Sequence, residues 1–402
     1  MSLNDTPSGE RTHIGFFGRR NAGKSSLVNA FTGQDLSVVS DVQGTTTDPV
    51  RKAMELLPLG PVVIIDTPGF DDEGMLGELR VKKTKQVLNR IDIAILVVDC
   101  EEGIKACEEE LIALFKEKEV PYLTVYNKAD LLGSIPAAGE NEIYVSALNK
   151  TNIWELKEMT ARIVKAPVET LQLVGDFVEP KENVILVIPI DKAAPKGRLI
   201  LPQQMVIRDL LEANVCVSVV KETELTDAIN GLKKKPGLVI TDSQIFKAVD
   251  RDVPEDIDLT SFSIILARYK GLLNDAVKGA LAIDKLKDGD KVLICEGCSH
   301  HRQCDDIGTY KIPKWLREYT GKELVFEATS GREYPEDLSE YALVIHCGAC
   351  MLTEKEMKYR IKCANDQNVP ITNYGITIAY VQGILKRAVK IFPYLYELFE
   401  DK

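Results

Sequence analysis

Short apolar runs alternate with amphipathic stretches along most of this chain, which is the pattern of strands alternating with helices in parallel α/β sheets. His13–Phe17, Val62–Ile65, Ile93–Val98, Pro121–Val125 and Glu142–Val145 read as strands. Gly23–Phe31 and Asn152–Val164 read as helices between and after them, and Pro167 stops the second. A linker-like stretch to Glu182 follows, and then the alternation resumes. Asn183–Ile190, Val215–Val220, Leu238–Thr241 and Ser261–Ala267 are expected as strands, with helices over Pro202–Ala213, Glu224–Leu232 and Ser243–Val249. In the last third a long helix over Tyr269–Leu286 leads to a strand at Lys291–Ile294. A helix at Pro313–Tyr319 and strands at Glu323–Phe326 and Ala342–Ile345 complete the expectation. The fold class is α/β, with three consecutive domains at 1–168, 169–267 and 268–402, the first with a mostly parallel sheet and the others smaller parallel units. No short repeat or low-complexity tract is visible.

At 402 residues the chain is too long for one core, in keeping with that division. The longest apolar runs fall far short of a membrane span, and the polar Met1–Arg11 has no apolar core, so a cytoplasmic protein without membrane partners is expected. A net charge of −11 disfavours a protein that works by gripping nucleic-acid backbones.

Candidate chemistry sharpens the first domain. Gly18-Arg-Arg-Asn-Ala-Gly-Lys24-Ser25 fits a phosphate loop, placed between a predicted strand and helix. Backbone N–H groups around Gly18, Asn21, Ala22 and Gly23, with Ser26 on the helix, would cradle the phosphates of GTP. Lys24 would reach the β- and γ-phosphates, and Ser25 would bind Mg2+. Asp66-Thr-Pro-Gly69 follows a buried strand, so that Asp66 holds Mg2+ and the Gly69 amide senses the γ-phosphate. Thr46, in Gly44-Thr-Thr-Thr47, is a switch-loop Mg2+ ligand; Lys24, Thr46 and Gly69 make the expected catalytic set. Asn127-Lys128-Ala-Asp130 supplies a carboxylate that accepts two hydrogen bonds from guanine, and Ser146-Ala147 a backbone contact to its O6. Four motifs in order at strand ends predict a GTPase.

These residues resemble the GTPases that include Era and the tRNA-modifying MnmE. By that resemblance Asn21 would help coordinate K+. Phe70 stands where Ras-like enzymes carry a water-positioning Gln, so intrinsic turnover is expected to be slow.

The second signal is a cluster of soft ligands near the C-terminus. Cys298-Ser-His300 and His346-Cys347-Gly-Ala-Cys350 each follow a predicted strand, where ligand sites of parallel sheets gather. Three thiolates with histidine nearby suit zinc or an iron–sulfur cluster, and sulfur ligands alone do not decide between them. Cys100, Cys107, Cys216 and Cys363 read as ordinary cysteines, Cys295 as a core residue, Cys304 as a further candidate, and His301 as a residue beside the site.

A G domain followed by this Cys-x-His…His-Cys-x-x-Cys pattern resembles the HydF family of FeFe-hydrogenase maturation GTPases. Pro195–Pro202, Arg208–Glu212, Asp305–Gly308 and Lys311–Trp315 extend the resemblance over the whole chain. It implies a homodimeric scaffold with a GTPase domain, a dimerisation domain and a domain holding a 4Fe–4S cluster. Cys298, Cys347 and Cys350 would be the thiolate ligands, with His346, His300 or an exchangeable ligand at the fourth iron. The implied partners are two radical-SAM maturases, which build a di-iron precursor, and the apo-hydrogenase that receives it. Other readings are an RNA-directed GTPase and a zinc or dithiol redox protein fused to a GTPase switch. The first would need a basic module, and only Lys233-Lys-Lys235 offers one.

Overall fold

A computed structural model describes residues 8–34, 50–67, 84, 87–164, 173–190, 199–297, 306–331 and 334–399. The chain divides into two compact units, residues 1–169 and 170–402. The first is built on six strands: β1 (Thr12–Phe17), β2 (Val50–Leu56), β3 (Gly60–Asp66), β4 (Ile93–Asp99), β5 (Tyr122–Asn127) and β6 (Glu142–Tyr144). Their order is β2-β3-β1-β4-β5-β6, and β2 alone runs antiparallel to its neighbour. Every residue of β4 is buried, because helices cover both faces of a mostly parallel sheet; this is why the strand reads as an unbroken apolar run. Separate cores form on the two faces, one around Phe16, Phe31 and Leu156, the other around Phe17, Leu88 and Phe115. The antiparallel β2 and the helix Ala106–Glu117 were not foreseen from the pattern.

The second unit holds two four-stranded parallel sheets. One contains β7 (Asn183–Val187), β8 (Cys216–Val220), β9 (Leu238–Thr241) and β10 (Asp258–Ser261) in the order β10-β9-β7-β8. The other contains β11 (Lys291–Glu296), β12 (Val325–Ser330), β13 (Leu343–His346) and β14 (Ile371–Asn373) in the order β12-β11-β13-β14. Counted within its own sheet, each reads second, first, third, fourth: the two halves share one topology.

The sequence carries the same duplication. Thr260-Ser261-Phe262 and Thr372-Asn373-Tyr374 end the fourth strands and start helices; then come Ile264 and Ile376, Ala267 and Ala379, Gly271 and Gly383, and Ala276-Val277-Lys278 and Ala388-Val389-Lys390. Ser261 and Asn373 cap these helices alike, accepting from the N–H groups of Ile264 and Ile376. The segments that follow are exchanged. Helix Leu273–Leu281, after the first copy, packs on β14 of the second, while helix Leu385–Ala388, after the second copy, packs on β10 of the first. One apolar cluster runs through both halves, from Ile185 and Leu259 to Leu293 and Ile371.

Two expectations are corrected here. Ser261–Ala267 is not a strand: the strand is Asp258–Ser261, and Phe262–Tyr269 is a helix capped by Ser261. The uniformly apolar run hid the change of period. The long helix expected over Tyr269–Leu286 is broken after Tyr269, where Gly271 adopts φ +71°, and resumes at Leu273–Leu281. No helix among the described residues is long and apolar enough to cross a membrane.

Candidate functional site

The predicted GTP-site residues that the structure describes lie at the C-terminal ends of β1, β3, β5 and β6. Gly23 starts the helix Lys24–Thr32 with φ +80°, and a Cβ there would lie 2.3 Å from Asn127 Nδ2, so both backbone angle and space require glycine. Asn127 explains the tight approach. Its Nδ2 donates to the Ala22 carbonyl at 3.1 Å, and its Oδ1 accepts from the Ala147 N–H at 3.1 Å. One side chain therefore ties the phosphate loop to the base-recognition loop, a connection the spacing alone did not reveal. Ser146 Oγ donates to Asp130 Oδ1 and accepts from the Asn149 N–H, which orients the carboxylate expected to read guanine. Lys128 has φ +67°, and its ammonium pairs with Asp99 Oδ2 at 2.6 Å.

On the phosphate side, Ser25 Oγ donates to Asp66 Oδ2 at 3.2 Å, which brings together the two oxygen ligands expected around Mg2+. Lys24 is buried at the loop. Arg19, within the same loop, is drawn to the fully buried Glu108 and to Glu102, so it is anchored to the helix Ala106–Glu117. Thr46, Gly69 and Phe70 lie outside the described residues.

The cysteine site begins where β11 and β13 end side by side. These strands flank the point where the connections of the third sheet change direction, the usual place for a ligand crevice. Cys295 pairs with His346 in register, and the Cys347 N–H donates to the Cys295 carbonyl at 2.8 Å. The chain then folds back so that Cys347 Sγ accepts from the N–H groups of Gly297 at 3.0 Å and Ala349 at 3.5 Å. A Cβ on Gly297 would lie 2.9 Å from Leu352 Cγ and 3.4 Å from Cys347 Sγ; the residue before Cys298 has no room for a side chain. Backbone N–H groups aimed at a sulfur stabilise its thiolate, as a metal ligand requires. A thiolate of this kind is a ligand that iron–sulfur clusters and zinc share.

Cys298, His300, His301 and Cys304 lie outside the described residues. Among the described residues no group of three or more His, Cys, Asp or Glu is placed to hold a metal. Cys295 is buried, as expected for a core residue, and burial pushes its thiol up to about 11.

His346 has partners that its place in the motif does not indicate. Its ring is fully buried, with Nε2 2.8 Å from Arg360 Nη1 and Nδ1 2.8 Å from the Cys347 carbonyl. Guanidinium only donates and a carbonyl only accepts, so Nδ1 carries the proton and Nε2 the lone pair. Burial, reinforced by the Arg360 charge, pushes this imidazole down to about 3 and keeps it neutral. In this arrangement both ring nitrogens are engaged by protein groups. Motif spacing could not show this, because Arg360 comes from a helix (Glu354–Asp366) beyond the cysteine pair.

Comparison with known families adds a decisive observation. Residues 173–271 match the family model described as the hydrogen maturase F dimerization domain, and residues 274–391 match the hydrogen maturase F tetramerization domain. The chain belongs to the HydF family. Its N-terminal residues 13–128 match the model described as a 50S ribosome-binding GTPase, so this HydF chain opens with a GTPase domain, which supports binding of GTP and Mg2+ and hydrolysis of GTP. The curated relatives match that part. MnmE of Thiobacillus denitrificans, a tRNA modification GTPase, is 37% identical over 131 residues, 32% of this chain and 29% of that protein. GTPase Der of Kosmotoga olearia is 34% identical over 141 residues, 33% of this chain and 32% of that protein. The chain thus spans about a third of the length of these relatives. A crystal structure of Era from Aquifex aeolicus is 21% identical, with a TM-score of 0.34, covering 52% of this chain and 92% of that one. The HydF and GTPase domains together support a GTP-binding hydrogenase maturation protein that oligomerises.

Proposed function

We propose that this chain is a GTP-regulated scaffold that carries the di-iron precursor of the hydrogenase active site and hands it to apo FeFe-hydrogenase. The observation that carries this reading is Cys347, held at the end of a parallel sheet with two backbone donors on its sulfur, in a HydF-type domain. Cys298, Cys347 and Cys350 would hold a 4Fe–4S cluster. When bound, the cluster supplies an iron with an open position for a bridging ligand of the cargo, because three thiolates do not cap four irons. The candidates for that position are His300, an exchangeable ligand and His346, the last only by giving up its contact with Arg360.

In the first unit, Asp130, oriented by Ser146, accepts from the guanine edge, and Asn127 holds the phosphate loop against the base loop. Gly18, Asn21, Ala22, Gly23, Lys24 and Ser26 surround the phosphates, and Ser25 and Asp66 bind Mg2+. Asn21 adds a K+ site. Thr46 and Gly69 sense the γ-phosphate, and release of these contacts on hydrolysis is the switch. With Phe70 in place of a water-orienting group, hydrolysis is slow. We assign the domains to 1–168, 169–267 and 268–402, and the chain to a cytoplasmic homodimer that receives its cargo from two radical-SAM maturases.

An activation assay tests this function. Chain loaded with the di-iron precursor should restore hydrogen evolution to apo-hydrogenase, and Cys347→Ala should lose that ability while still binding GTP. Equal activation by wild type and Cys347→Ala would contradict it.

A further inference from the structure

We propose that Arg360 is a positioning residue that withholds His346 from the metal site, leaving the thiolates to hold the cluster and its remaining iron open. The proposal rests on the cluster reading above. His346 is the last residue of β13 and adjoins Cys347, so sequence alone makes it a natural ligand. A ligating imidazole must present a lone pair. Here the lone pair on Nε2 accepts from Arg360 Nη1 at 2.8 Å, and the proton on Nδ1 is given to the Cys347 carbonyl at 2.8 Å.

The lock is held from behind. Arg360 is 1% exposed, and its Nη2 donates to Glu356 Oε1 at 2.7 Å and to the Gly331 carbonyl at 3.1 Å. Its guanidinium lies over the Tyr334 ring, 5.0 Å from the centroid, and the Tyr334 hydroxyl donates to the Arg360 carbonyl. Glu356 is itself fixed at the first turn of the helix capped by Thr353, whose Oγ1 accepts from the Glu356 N–H. Turning His346 toward a metal would strip the acceptor from Nη1 of a buried cation whose Nε already has no hydrogen-bond partner, an unfavourable exchange in a low-dielectric interior. The same imidazole bond to the Cys347 carbonyl fixes the turn that presents Cys347 Sγ to Gly297 and Ala349. Arg360 therefore acts through His346 on the first cysteine of the pair.

Two readouts on the full-length chain test this. The first uses protein reconstituted with iron and sulfide and reduced. Pulsed EPR should show the same nitrogen couplings in wild type and His346→Gln, and a new strong coupling in Arg360→Gln that the double variant loses. A strong coupling present in wild type and lost in His346→Gln would overturn the proposal, and that comparison decides the matter even if Arg360→Gln does not fold. The second needs no cluster: with four histidines in the chain, 15N-histidine labelling of the metal-free protein resolves the tautomer of His346, assigned by His346→Gln. A fixed Nδ1–H form in wild type supports the lock; an Nε2–H or averaged form overturns it. If no variant assembles a cluster, the scaffold reading fails while the tautomer still decides the lock.

Discussion

The amide of Asn127 donates to the backbone carbonyl of Ala22, in the phosphate loop, at 3.1 Å. Because the same side chain accepts from Ala147, it couples the loop that meets the phosphates to the loop that meets the base. Both halves of a GTP site are thus held by one residue that need not touch the nucleotide strongly itself.

Asn127→Ala should therefore weaken GTP and GDP alike. Three hydrogen bonds, to Ala22, Gly23 and Ala147, are removed and a buried carbonyl is left unpaired, about 2 kcal/mol or roughly thirtyfold in Kd. Titration of a fluorescent guanine nucleotide measures it, and an unchanged affinity would show that the two loops are independently stable.

Asp130→Asn should exchange one nucleotide for another. An amide in place of the carboxylate loses the guanine 2-amino contact but can donate to the 2-oxo group of xanthine. GTP affinity should fall by about 3 kcal/mol, more than a hundredfold, with XTP now preferred. Competition between the two nucleotides reads the switch directly.

The pair Asp99–Lys128 gives a pH signature. Burial opposes ionisation of Asp99, but the hydrogen bonds from Lys128 and the Glu101 amide outweigh it and hold the carboxyl below its usual range. A carboxyl more acidic in the folded than in the unfolded state stabilises the fold above its unfolded value and loses that contribution as the pH falls. Denaturant unfolding should show Asp99→Asn destabilised by a constant amount, under about 1 kcal/mol, between pH 6 and 8. The difference should shrink below pH 4.

Arg387 tests the exchanged architecture of the second unit. From the helix Leu385–Ala388 it donates to Asp250 Oδ1 at 2.8 Å and to the carbonyls of Asp250, Val253 and Pro254, all next to the first of its two sheets. Arg387→Ala should cost about 2–4 kcal/mol by stranding several acceptors, and Lys, with a single point charge, should recover only part of it. Calorimetry should place the loss in the second unit, with GTP binding unaffected.

How far the sequence spoke depended on whether partners were near in the chain. The phosphate loop, Asp66, Asn127 and Asp130 were legible because each motif sits at a strand end whose apolar run announces it. The bridge made by Asn127 was not, since it depends on β1 and β5 lying two strands apart in the finished sheet. The run Ser261–Ala267 lacks both the period of a strand and that of a helix, and only the Ser261 cap distinguishes them. The duplication read only as two consecutive small α/β units, because residue likeness is strong only over Thr260–Lys278 and Thr372–Lys390, where strand end, cap and exchanged helix are built alike. The contact of His346 with Arg360 was hidden because Arg360 comes from a helix beyond the cysteine pair.

The most direct test is a reading of iron, sulfide and EPR on protein reconstituted anaerobically, comparing wild type with Cys347→Ala and Cys350→Ala. A brown wild type with about four iron per chain and a reduced-cluster signal, lost in both variants, is the expected result. A colourless wild type that retains one zinc, or a cluster that survives in both variants, would contradict the scaffold and leave a GTPase with a different metal chemistry.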